Sequence, residues 1–169
     1  LAEAALAVAP GALFYRLDVG GQQVGYSSTT IDTLGGGSMI RVDNVFVLDV
    51  PALGKLHRTT ARSTTMLSRA LRVQSVSATF DGDLGQFAAR AQALGDTLLS
   101  VVILTAGDSQ LPRIPLQGPI TLPALLPLRL AFGGELNSGR SYTARLFDPL
   151  LLTGRDVTAR IAAESTFVV

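Results

Sequence analysis

The chain has 169 residues, of which 47% are hydrophobic, 6% aromatic and 16% charged, with a formal net charge of +1 and no Cys or Trp. That length and apolar fraction suit one domain with a sizeable core built from aliphatic side chains. Sparse, balanced charge excludes an electrostatic nucleic-acid binder, which needs many clustered cations, and the absence of Cys excludes disulfides, thiolate metal sites and a Cys nucleophile.

Residues 1–11 read as an N-terminal tail or short helix, and "LAEAALAVAPGA" also carries the A-x-A spacing of a processed signal peptide. From residue 12 to 169 a single β-rich domain is expected, because strict alternation of apolar and polar residues dominates. Ala12–Val19 reads as a strand with Leu13, Tyr15, Leu17 and Val19 on one face. Gly20-Gly21-Gln22-Gln23 supplies a turn, since Gly takes positive φ without steric cost, and Val24–Asp32 returns. "TLGGGS" is a looser turn. Met39–Val50 is a long strand with Ile40, Val42, Asn44, Phe46, Leu48 and Val50 on one face, stopped by Pro51.

The Thr/Ser/Arg-rich Leu56–Leu67 suits a strand whose polar face meets water. Leu71–Phe80 alternates again and ends at the turn "DGDLG". Gln86–Leu94 and Thr97–Thr105 form a further pair, and "AGDSQ" turns into Leu111–Leu116. The period then changes: Leu122, Leu125, Leu126 and Leu130 fall at helical spacing, with Pro123 suited to a first helical turn. Tyr142–Phe147 and Val157–Val169 complete the set. About ten strands and one short helix, with a turn every ten residues or so, predict a mainly β fold: an antiparallel curved sheet, as a sandwich or half-barrel. The closing "STFVV" has no turn or polar cap, from which further protein beyond it is expected. No segment reaches the length of a membrane-spanning helix.

The chemistry-bearing motifs are few. His57 is the sole histidine and sits on a polar strand with no G-x-S-x-G elbow anywhere, so an exposed strand histidine is expected rather than a triad base. One His and no Cys cannot build a typical zinc site. "DGDLG" lacks the later ligands of a calcium loop. Neither "GGG" nor "GQQVG" is followed by the residues or helix that a phosphate loop needs. No catalytic, cofactor-binding or metal-binding residue is therefore assigned, no cofactor is expected, and the chain reads as no enzyme. Two groups stand as candidates of another kind. Arg58, Arg62, Arg69 and Arg72 could form a basic face that docks an acidic partner or lipid headgroups, or a solvated face whose stems cover apolar surface. Leu122, Leu125, Leu126 and Leu130 could line an apolar-ligand site in the concavity of the sheet, or simply bury a helix against it.

The stretches "YRLDVGGQQVGY", "VLDVPALGKLHRTT", "LPLRLAFGGELNSGRSYTARLFDPLLL" and "VTARIAAESTFVV" together resemble the β-rich domain found N-terminal to transglutaminase-like domains in some bacterial secreted proteins. The resemblance implies an extracytoplasmic β domain, periplasmic and peripheral to the membrane. Such proteins keep their activity in a downstream domain with a Cys-His-Asp triad, and no position here can receive that Cys. The expected role is a non-catalytic structural or interaction module, an accessory subunit on a larger membrane-associated assembly. The alternative is a periplasmic carrier of lipid or another apolar ligand. The opening hairpin is expected to be the first edge of the sheet, and an edge strand can recruit a partner strand.

Overall fold

The computed structural model describes residues 10–52, 54–83, 85–95, 98–105, 108–110, 113–115, 122, 125, 126, 130, 137–148 and 153–162. Among these residues eleven strands run in chain order. They are β1 (Gly11–Val19), β2 (Gln22–Leu34), β3 (Met39–Ala52), β4 (Lys55–Ser68), β5 (Val73–Gly82), β6 (Gly85–Leu94), β7 (Leu98–Thr105), β8 (Asp108–Gln110), β9 (Arg113–Pro115), β10 (Ser141–Asp148) and β11 (Thr153–Arg160). The first nine form one antiparallel meander in the order β1-β2-β3-β4-β5-β6-β7-β8, with β9 also on β7, and β10-β11 is a separate hairpin. The sheet is open, not closed into a barrel.

Local chemistry explains the turns. Gly20 and Gly21 both have positive φ (59° and 80°) and join the closing pair Val19↔Gln22, so the loop is the two-residue primed type that matches strand twist. Three consecutive left-handed glycines, Gly35, Gly36 and Gly37, carry the β2–β3 connection. The β4–β5 turn uses Leu71 at φ 57°, a conformation that costs a non-Gly residue about 1–2 kcal/mol. Its side chain is buried in the core, which offsets that cost.

Pro51 does not stop β3. The strand runs on to Ala52, and the chain turns at Gly54. Beyond Leu48, β3 has no partner on its β2 side among the described residues, so a residue without an N–H is tolerated there. Of the expected strand Leu111–Leu116 the described residues Arg113–Pro115 form β9, and Asp108–Gln110, expected as part of a turn, form the short strand β8. The last strand is Thr153–Arg160, and the expected extension through residues 163–169 lies outside the described residues.

Directly paired residues in an antiparallel ladder point to the same face. One face of the sheet, the core face, therefore carries Ile40, Leu67 and Val73 in one row and Ile31, Val42, Thr65, Val76, Ala91 and Val101 in the next. Leu122, Leu125 and Phe147 pack against these rows in a single buried cluster. A third row is polar: Thr29 Oγ1 donates to Asn44 Oδ1 at 2.8 Å, and Asn44 Nδ2 donates to Ser63 Oγ at 3.4 Å. Past that ladder the row turns aromatic, with Phe46, Phe80 and Phe87 half-buried and the last two stacked with centroids 5.2 Å apart.

Thr65 is fully buried, and its hydroxyl finds no hydrogen-bond partner among the described residues. An unsatisfied buried hydroxyl costs about 1–3 kcal/mol, and valine has nearly the same shape. Thr65→Val is expected to raise the unfolding free energy by about 1 kcal/mol in a denaturant titration. A loss of stability would mean that the hydroxyl has a partner after all.

Candidate interaction surface

β1 is one end of the sheet, and among the described residues only β2 pairs with it. Its sequence GALFYRLDV contains no Pro and no Lys, the residues that most often blunt an edge. Alternation puts Leu13, Tyr15 and Leu17 on the core face and Ala12, Phe14, Arg16 and Asp18 on the outer face. Neither set is covered: Phe14 is 78% exposed, and Leu13, Tyr15 and Val19 are also exposed. Tyr26, opposite Arg16 on β2, is exposed as well. Most of the exposed large hydrophobic residues thus lie on the β1–β2 hairpin.

The charge on this edge is a single pair: Arg16 Nε lies 2.9 Å from Asp18 Oδ2, two residues along the same face. Gly25, opposite Leu17, marks where the β1–β2 register shifts between Leu17 and Asp18. A Cβ there would fall on the carbonyl of Val47, with Leu48 Cα at 3.1 Å, so only Gly lets β2 and β3 approach at this point. The opposite end of the sheet is built differently. β8 and β9 are three residues each, and Pro115 ends β9. Short strands and proline protect that edge from pairing.

The four candidate arginines do not gather into one patch. Arg58 is committed to Asp49 in a bidentate pair, Nε to Oδ1 at 2.7 Å and Nη2 to Oδ2 at 2.8 Å. That hydrogen-bonded guanidinium holds the Asp49 carboxyl below the usual carboxylate range, and Asp49 in turn raises Arg58. Arg62 sits four residues further along β4, on the rim of a shallow trough of about 490 Å³ that Thr60, Thr79, Phe80, Asp81 and Phe87 also line. Arg69 and Arg72 lie in the β4–β5 turn at the other end of the strand. Arg69 Nε is buried with no hydrogen-bond partner among the described residues.

Of the four leucines, Leu122 and Leu125 are core residues, each 2% exposed, and Leu126 and Leu130 are half-buried. The first two pack on the sheet as core and do not line the trough beside Arg62. His57 is not an exposed histidine. The β4 alternation places it on the core face opposite Val50; its side chain is 20% exposed, and Nδ1 lies 3.3 Å from Asp83 Oδ2. Among the described residues no group of three or more His, Asp or Glu could hold a metal ion, and no helix is long and apolar enough to cross a membrane.

The exposed β1 edge was legible from the opening hairpin; the arginines' dispersal was not, because it depends on where β4 ends. No protein-family profile, no curated protein and no solved structure matches the chain.

Proposed function

We propose that this chain is a non-catalytic interaction module that offers β1 to a partner strand. The observation that carries this reading is the concentration of exposed Leu13, Phe14, Tyr15 and Val19 on a nine-residue edge strand with no second neighbour among the described residues. Backbone groups on such an edge give affinity, and alternate side chains give specificity. The sequence resemblance to a secreted β domain adds the wider form of the reading: an accessory subunit outside the cytoplasm, resting on a membrane-associated assembly. The carrier alternative draws on the half-buried aromatic row of Phe46, Phe80 and Phe87, but the leucines expected to line it include two core residues.

The test is a photo-crosslinking residue at Phe14, with one at Arg113 on the protected edge as control, in the cells from which the protein comes. An adduct at position 14 and none at 113 is the expected result. Equal labelling at both, or none at 14, would count against an edge-presenting module.

A further inference from the structure

Resting on that reading, we infer that the strand β1 receives is β1 of a second copy, in antiparallel pairing centred on Leu17. The charge pattern selects both the partner and the register. Arg16 and Asp18 flank Leu17 on the outer face, so a two-fold axis at Leu17 sets Arg16 of each copy opposite Asp18 of the other. The four charges then alternate in sign around the axis, and directly opposed unlike charges stabilise a sheet pair. On the core face the same register sets Tyr15 opposite Val19, both exposed in the single chain, and Leu17 opposite Leu17. Phe14, the most exposed large side chain, comes opposite Gly20 of the turn. Nothing lies within 4 Å of a Cβ position at Gly20 or Gly21, which leaves room for the ring.

A register centred on Tyr15 would pair more residues. It would set Arg16 opposite Phe14 and bring the two Arg16 side chains diagonally together, leaving the charges unmatched. Head-to-tail growth is barred as well, because the far edge is short and ended by proline. Joining like edge to like edge closes after two copies, as an isologous contact does.

Sedimentation equilibrium of the full chain is expected to show a dimer. Arg16→Asp and Asp18→Arg each place like charges opposite one another and are expected to raise the dissociation constant about tenfold or more. Mixed together, the two variants restore opposite charges across the axis and are expected to form a heterodimer. Both positions have exposed side chains, and an unchanged circular dichroism melt confirms that each variant folds. A monomeric wild-type chain, or a mixture that fails to associate, overturns the inference. The adduct at position 14 separates the two readings. An adduct of twice the chain's mass supports self-pairing. An adduct with a different protein overturns self-pairing and leaves the module reading standing. No adduct removes both.

Discussion

Phe147→Ala is expected to lower the unfolding free energy by about 3–5 kcal/mol, the range for deleting a buried Phe side chain and leaving a cavity. A domain of this size has about 5–15 kcal/mol in total, so the loss is a large share of the whole. The reason is positional. Phe147 is fully buried and belongs to the hairpin β10–β11, which among the described residues shares no strand pairing with the nine-stranded sheet. Its ring joins Leu122 and Leu125 over Ile40, Leu67 and Leu99 in one cluster. Among the described residues, Phe147 is the hairpin's member of the buried cluster on the sheet. Urea titration reads the loss, and hydrogen exchange should show β10–β11 deprotected ahead of β3–β5. Phe14→Ala is the control: in the isolated chain its 78% exposed side chain should change stability little. A cost below about 1 kcal/mol for Phe147→Ala would mean that the core face is closed by something other than this cluster.

Gly25→Ala is expected to cost about 2–3 kcal/mol, at the upper end for overpacking, because the added methyl meets backbone that cannot rotate aside. The carbonyl of Val47 occupies its place, and Leu48 Cα stands at 3.1 Å. β2 must move off β3, and β1, which among the described residues pairs with β2 alone, moves with it. Gly82→Ala is the matched comparison. There the nearest atom is Thr59 Oγ1 at 3.0 Å, a side-chain atom that can swing away, and the carbonyl of Arg58 is at 3.4 Å. Its cost should be about 1 kcal/mol or less. Equal losses at the two glycines would show that β2 and β3 can separate at Gly25 without consequence.

Much of the fold was readable from alternation. Ile40, Val42, Asn44, Phe46 and Leu48 do share the core face, and Gly20-Gly21 is the hairpin turn. Period-2 patterning reports which side chains share a face, and glycine pairs report where the chain reverses. It does not report how far a face is covered. The same alternation that buries Val42 leaves Phe46 only half-covered, because Phe147, Leu122 and Leu125 reach one end of the face alone. Pro51 misled because its cost depends on whether a neighbouring strand needs its N–H, which is set by where the β2–β3 pairing stops, at Gly25↔Leu48. His57 read as exposed because its chain neighbours are polar, whereas its burial comes from the β4 register. The edge itself was legible as a hairpin, but its contrast with the proline-ended far edge appears only once strand order is known.

Amide hydrogen exchange of β1 in the assembled protein tests the central claim most directly. Every second β1 amide points away from β2, and in a bare edge these exchange quickly even though the chain is folded. The interaction-module account predicts that the outward amides of residues 15–19 are protected in the assembly to the same degree as their inward neighbours. Fast exchange at those amides in the assembled protein would show that β1 remains an open edge, and the account would fail.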